Sequence, residues 1–248
     1  MIVLVTGASS GFGTAIAQRF ISAGHRVIGI GRRRDRLDAL REQLGEAFLP
    51  VVLDLNDEAA VLRILDSIPY EWKAISILVN NAGLALGLDK AQNASVTDWR
   101  RMIDTNIVGL TLLTRAVLPG MVERNRGHVV NIGSVAANYP YPGGNVYGAT
   151  KAYVQQFSRN LRADLLGTAV RVSLLEPGLA SGTEFSTVRF GGDDTRSAER
   201  YRGVAALRPE DIAEAVAWIT ALPEHVNINS IEVMPVAQGF SPLAIHRT

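Results

Sequence analysis

The sequence predicts an α/β fold: a single doubly wound domain whose seven-stranded parallel sheet carries helices on both faces. Three observations lead there. Short apolar, β-branched runs alternate along the chain with segments of helical period, the pattern of strands joined by crossover helices. The first of those runs opens directly into a glycine-rich turn and then a helix. The 248 residues show no linker or internal repeat and are enough for one well-buried core, so 1–248 is read as one domain.

The expected strands are Ile2 to Val5, Arg26 to Ile30, Leu49 to Leu53, Ile75 to Val79, His128 to Ile132, Val170 to Leu175 and Ser230 to Met234. Each is a short apolar run, suited to a sheet covered on both sides. Between them, apolar residues recur at helical spacing in Phe12 to Ala23, Arg34 to Leu44, Glu58 to Ser67, Val96 to Glu123, Val146 to Leu165 and Pro209 to Leu222. The exception is Leu179 to Val204, rich in Gly, Ser, Thr, Asp and Arg and without a clear period. A loop this long inside a compact domain is usually functional or disordered. Its place after the sixth strand makes 179–204 an expected lid over a crevice at the carboxyl ends of the strands.

Composition excludes several classes. There is no cysteine, hence no disulfide framework or thiolate metal site, and the four histidines (His25, His128, His225, His246) lack ligand spacing, so no metal is expected. Lysine plus arginine (25) balances aspartate plus glutamate (24), which leaves no global electrostatic case for nucleic acid or an anionic membrane. The first apolar run has no basic segment before it and is far shorter than a signal-peptide core or a membrane span. A cytoplasmic protein is expected.

Thr6-Gly7-Ala8-Ser9-Ser10-Gly11-Phe12-Gly13 joins the first strand to the first helix. Glycines let the backbone turn tightly and approach a pyrophosphate, and the unpaired N–H groups at a helix start favour negative charge. After the second strand, where an acid would accept from the ribose 2′-hydroxyl of NAD, the chain supplies Gly31-Arg32-Arg33-Arg34. Guanidinium groups suit a 2′-phosphate through charge-assisted contacts, which points to NADP; a solvated basic turn is the plainer alternative. Asn80-Asn81-Ala82-Gly83, directly after the fourth strand, could let the chain pass close to the cofactor.

Tyr147 and Lys151 are four positions apart in the fifth helical segment, and Ser134 follows the fifth strand. Positions i and i+4 share a helix face, so the ammonium can sit beside the phenol. A nearby positive charge lowers a phenol pKa from about 10, giving a general acid/base nearer neutrality. Ser134 would hold a substrate oxygen toward that phenol.

With these motifs together, the chain resembles the short-chain dehydrogenase/reductase family nearly end to end. The marks are Gly7, Gly11 and Gly13, Asn80 to Gly83, Asn106, Ser134, Tyr147 with Lys151, and Pro177-Gly178 after the sixth strand. The segments Asn145 to Lys151, Glu176 to Leu179 and Gly182 to Ser186 resemble the NADP-dependent 3-hydroxy acid dehydrogenases, among them serine and allo-threonine dehydrogenases. The resemblance implies a Rossmann domain and a hydride transfer between NADP and a short 3-hydroxy acid or 2-amino-3-hydroxy acid. It also implies a set of site residues. Ser9, Ser10, Phe12, Asn81, Ala82 and Gly83 would line the cofactor with the glycines, and Asp54 with Leu55 would meet the adenine. Asp54 could equally cap the next helix. Lys151 would bond the nicotinamide ribose, and Asn106 would hold a water linking Lys151 to solvent, unless it is a packed helix polar residue. Pro177, Gly178 and Thr183 would bracket the nicotinamide, although the usual Pro-Gly-x-x-x-Thr spacing is one residue longer here.

Arg189 in the expected lid is a candidate for the substrate carboxylate, because its planar fork suits one. Pairing with Asp193 or Asp194 on the loop surface is the competing reading. A 3-oxoacyl-carrier-protein reductase of the same family remains the enzymatic alternative, with Arg100-Arg101 as a patch for an acidic carrier; a non-enzymatic NADP-binding regulator would not need the Ser, Tyr, Lys and Asn set. Family members commonly form homotetramers through the long helices and the carboxyl-terminal segment. The apolar stretch Pro235 to Leu243 fits burial against another subunit or against the core.

Overall fold

The computed structural model describes residues 1–240. Seven strands, β1 (Ile2–Thr6), β2 (Arg26–Gly31), β3 (Phe48–Val52), β4 (Ile75–Asn80), β5 (Gly127–Ile132), β6 (Val170–Pro177) and β7 (Ser230–Val233), form one sheet in the order β3-β2-β1-β4-β5-β6-β7. Every pairing is parallel. The strand order reverses beside β1, and an open parallel sheet binds ligands at that switch point.

The inner strands are mostly apolar because both faces are covered, whereas the edge strand β7 is partly exposed. Val3, Val5, Val27, Val79 and Val130 pack on one face with Ile16, Phe20, Ile212 and Val216, carried by helices α1 (Gly11–Ser22) and α9 (Pro209–Ala221). Ile2, Leu4, Ile28, Leu78 and Val129 pack on the other with Leu113, Val117, Met121 and Leu161. Fully burying each such side chain contributes about 1.5–3 kcal/mol. A register shift between Ile2 and Val3 against β4 lets Ile75 and Ile77, two positions apart, serve opposite faces.

Between these ends the remaining helices are α2 (Arg34–Leu44), α3 (Glu58–Leu62), α4 (Val96–Ile103), α5 (Leu110–Glu123), α6 (Asn145–Asp164), α7 (Phe185–Arg189) and α8 (Asp194–Glu199). Three differ from expectation. The segment 58–67 is helical only through Leu62; its end tightens into a 3₁₀ turn, where the Ser67 hydroxyl donates to Ile64 O. The expected helix Val96 to Glu123 has those ends, but Asp104–Gly109 is a π turn joining α4 to α5. Such widened turns occur at functional sites, and here the turn is anchored by Asn106, as described below. The combined helix is long and apolar enough to cross a membrane by length and hydropathy alone; its stripe Leu113, Val117, Met121 packs on the sheet as core.

The third difference is 179–204, which carries α7 and α8 instead of irregular chain. Five and six residues are too few to show an apolar period; α8 is started by a side-chain cap, and α7 follows a turn at Thr183 without one. Thr183 Oγ1 accepts from Phe185 N at 3.3 Å, and Asp193 Oδ1 from Arg196 N at 2.9 Å. At the carboxyl end Val236 and Phe240 are exposed, so within the described residues they are not core. Ser241, Pro242 and Leu243 of the stretch considered for subunit burial, and His246, lie outside the described residues.

Candidate active site

A cleft of about 640 Å³ opens at the carboxyl ends of the strands. Gly7, Ser9, Ser10, Gly11 and Phe12 form one wall. Gly7 and Gly11 have φ of +69° and +52°, a region L side chains rarely adopt. Gly13 does not face the cleft. A methyl group there would lie 2.1 Å from the Gly7 carbonyl oxygen, so its role is to let α1 press against the turn. Helix α1 starts with no side-chain cap and no acid in its first turn, which leaves its amino-terminal N–H groups for an anion.

The opposite wall is Asn81, Ala82 and Gly83. Thr6 ties them to β1: its Oγ1 accepts from Asn81 N at 3.0 Å and Ala82 N at 2.9 Å, while Asn81 Nδ2 donates to Thr6 O at 2.8 Å. Asn80 is buried and donates to Thr114 and Asn131, a structural position.

At the far end of the cleft stand Arg32, Arg33, Asp54 and Leu55. Arg33 is no merely solvated residue. Its two terminal nitrogens donate to Glu184 at 3.2 and 2.8 Å, and Arg36 reaches the same carboxylate at 3.1 Å. The hydrogen bond from Arg33 holds the Glu184 carboxyl below its ordinary range, aided by both arginine charges. Asp54 accepts from Asn56 N, and α3 is capped instead by Asp57, so the capping alternative for Asp54 falls away. Leu55 also packs against Gly109 in the π turn. Pro177, Gly178 and Thr183 line the cleft. The extra residue before Thr183 belongs to a stretch paired to Leu207 through Ala180 and Ser181. It leaves the Thr183 methyl against Gly11, at the glycine turn.

In the middle, α6 presents Tyr147 and Lys151, and Ser134 ends the β5 segment. Ser134 Oγ accepts from Ala136 N at 3.1 Å and lies beside the Tyr147 phenol. Lys151 is beside the phenol ring but donates to Ile132 O at 2.9 Å. The expected lowering of the phenol by this lysine is overturned. Burial pushes Tyr147 up to about 12; Ser134 and the charges of Arg189 and Arg200 oppose the shift, and Tyr141 adds to it. Burial also brings Lys151 down to about 8.

Asn106 is a buried polar residue of the π turn. Its Oδ1 accepts from Leu84 N at 2.9 Å, and its Nδ2 donates to Leu84 O at 2.9 Å and Thr150 Oγ1 at 3.0 Å. Both amide hydrogens are thereby used, and the side chain fastens the π turn to the Gly83 segment and to α6. A methyl group on Gly83 would sit 3.3 Å from both Asn106 Oδ1 and Lys151 Nζ, a tight fit.

Arg189, at the end of α7, is 4% exposed. It donates to Gly87 O at 3.1 Å and Tyr141 Oη at 2.8 Å, and its guanidinium lies 5.2 and 5.6 Å from the Tyr141 and Tyr147 ring centroids. The pairing with Asp193 or Asp194 is overturned: Asp193 caps α8 and Asp194 accepts from Thr187. Among the described residues no carboxylate is paired with Arg189. A buried cation held by one carbonyl and one hydroxyl beside the Tyr147 ring has the chemistry to receive an anion.

Tyr139, Tyr141, Glu184, Arg200 and Gln238 also line the cleft, and sequence reasoning does not single them out. Tyr-Pro-Tyr-Pro, between Ser134 and Tyr147, is the one signal that could have found the tyrosines. Gln238 has none: it reaches back to accept from Leu179 N. Arg101, at the mouth of the cleft, is exposed. Among the described residues no three His, Cys, Asp or Glu side chains cluster as a metal site. His128 is buried against Ser173, and burial lowers it to about 3, with the Arg171 charge adding to the effect.

Residues 1–191 match the short chain dehydrogenase family. The chain is 61% identical over 248 residues to the NADP-dependent 3-hydroxy acid dehydrogenase YdfG of Salmonella typhi, covering 100% of both chains. It is 50% identical over 245 residues to the serine 3-dehydrogenase of Rhizobium radiobacter, covering 99% of this chain and 98% of that one. Among solved structures it superposes on the closed form of a serine dehydrogenase complexed with NADP+ with a TM-score of 0.99, 59% identity and full coverage of both chains.

Proposed function

Because this chain belongs to the short-chain dehydrogenase/reductase family, we propose that it is an NADP-dependent oxidoreductase acting on short 3-hydroxy acids or 2-amino-3-hydroxy acids. The products would be the 3-oxo acid, semialdehyde or amino ketone. The observation that carries the substrate class is Arg189, a buried guanidinium without a carboxylate partner, 5.6 Å from the Tyr147 ring centroid. The names of the similar proteins point the same way.

The cleft fits the cofactor by its own features. Positive φ at Gly7 and Gly11 lets the backbone approach a pyrophosphate, uncapped α1 offers N–H groups to it, and Arg32 and Arg33 supply positive charge at the ribose end. When bound, the nicotinamide supplies the hydride acceptor, or the donor in reduction. Tyr147 Oη, protonated at neutral pH, gives its proton to the carbonyl oxygen in reduction; in oxidation it is the phenolate, its own proton having left to solvent, that takes the proton from the substrate hydroxyl. Ser134 Oγ, beside that phenol, orients the reacting oxygen and stabilises its developing charge. Lys151, held on Ile132 O, faces the Gly83 wall where the nicotinamide ribose would lie. Arg189 fixes the carboxylate, so that the 3-hydroxyl is presented to Tyr147. Residues 179–204 act as the lid that excludes water around this pair.

A panel of serine, threonine stereoisomers, 3-hydroxyisobutyrate and 3-hydroxypropionate, assayed with NADP+ and NAD+, tests the reading. Turnover of the acids with NADP+ supports it. Preference for a carrier-bound 3-oxoacyl thioester, which has no free carboxylate for Arg189, overturns it. The assembly we propose is a cytoplasmic homotetramer. Exposed Val96 and Ile103 on α4, and Tyr153 on α6, give the long helices an apolar face for it; light scattering of the purified chain measures its mass.

A further inference from the structure

Arg32, Arg33 and the Glu184 carboxylate line the ribose end of the cleft, with Arg36 bonded to Glu184 from outside it, and the three guanidinium groups are not equivalent. Arg33 directs both terminal nitrogens at Glu184, and Nη2 also reaches Ser9 O at 3.4 Å. The end face that could grip two phosphate oxygens is therefore filled by the carboxylate. Arg36, from the first turn of α2, holds the other side of Glu184 and does not line the cleft. Arg32 lines the cleft and has no side-chain hydrogen bond or ion pair among the described residues. Glu184 immediately precedes α7, the short helix that ends at Arg189.

We propose a division of labour in which Arg32 grips the 2′-phosphate, while Arg33 is committed to Glu184 as a positioning residue that latches the lid over the adenosine end. The latch fixes the start of α7 and, five residues along the same helix, Arg189 at its end. This rests on NADP being the cofactor. Glu184 need not repel the phosphate, because the three guanidiniums against one carboxylate leave a double positive excess. A phosphate monoester carries about −1.5 to −2 at neutral pH, which matches that excess. The pairs are partly exposed, so a single one would contribute little; the bidentate geometry and the second arginine make the network worth testing.

The test compares Arg32→Ala, Arg33→Ala, Glu184→Gln and the double variant Arg33→Ala/Glu184→Gln. Nucleotide affinity is read by calorimetry with NADP+ and with NAD+. The latch is read separately, without nucleotide, by the rate of chymotrypsin cleavage after Phe190 and Tyr201 in the lid. Arg32→Ala should cut the preference for NADP+ over NAD+ by tenfold or more and leave cleavage unchanged. Arg33→Ala and Glu184→Gln should each weaken both nucleotides about threefold to tenfold and speed cleavage, and the double variant should be no worse than either single one. Tighter NADP+ binding by Glu184→Gln would overturn the proposal, since the carboxylate would then be competing with the phosphate. So would additive losses in the double variant, or an Arg33→Ala loss confined to NADP+. Equal binding of the two nucleotides by the parent protein would sink the cofactor reading instead, and the latch would then stand or fall on the cleavage rates.

Discussion

Replacing Arg189 by alanine removes a buried cation beside the Tyr147 ring that, among the described residues, has no carboxylate partner. The side chain is 4% exposed, so a carboxylate paired to it is desolvated and has little water to fall back on. A hydrogen bond to a charged group contributes about 1.5–3 kcal/mol, and each 1.4 kcal/mol is tenfold. The expected loss in kcat/KM for serine or 3-hydroxyisobutyrate is therefore on the order of a hundredfold. Arg189→Ala also gives up the bonds to Gly87 O and Tyr141 Oη that pin α7. That contribution is common to every substrate, so a neutral aldehyde of similar size serves as the internal reference and should lose far less. Arg189→Lys, which keeps the charge without the planar fork, should fall between parent and alanine on the acids. Initial rates from nicotinamide absorbance, in both directions, give the numbers. Equal losses for acids and neutral aldehydes would refute the reasoning: Arg189 would then shape the lid, and the carboxylate would be recognised elsewhere.

Three other outcomes follow from the site. Tyr147→Phe deletes the transferable proton and keeps the ring that packs on Phe185, so kcat should fall about a hundredfold to ten-thousandfold with NADP+ affinity nearly intact; a twofold loss would assign the proton to another group. Burial lowers Lys151 to about 8, below its unfolded value, so the unfolded chain binds the extra proton and stability of the ligand-free protein should rise from pH 8 toward pH 10. Above that, Tyr147, pushed up to about 12, keeps a proton the unfolded chain loses, and stability should decline. Urea midpoints across this range should lose the rise in Lys151→Met, and an unchanged slope would show that the lysine is not the group responsible. Gly13→Ala places a methyl 2.1 Å from Gly7 O, so it should destabilise by about 1–3 kcal/mol in thermal or urea melts and weaken NADP+ binding by displacing the turn; parent-like stability and binding would contradict the packing role.

Much of this architecture is legible in the amino-acid sequence, because strands buried on both faces must be apolar along their whole length. Ile2 to Val5 and Ile75 to Val79 can be read that way, and the alternation with helical periods dictates a parallel sheet. The glycine turn is equally legible, since a positive φ at Gly7 and Gly11 is a local demand met by a particular residue type. So is the pairing of Tyr147 with Lys151 on one helix face, which is set by spacing alone.

What the chain cannot reveal alone are facts that depend on burial and on partners distant in sequence. The shifts of Tyr147 up and Lys151 down follow from loss of water, which no i to i+4 spacing encodes. The π turn arises where Asn106 meets Leu84 and Thr150, contacts 22 and 44 residues away. Arg33 meets Glu184 across 151 residues, and Arg189 meets Gly87 across 102. Local pattern determines which elements form and which chemistry they carry. Tertiary packing decides which charges face each other and which are left unpaired, because electrostatic partners are chosen by distance in space and by how much water remains between them.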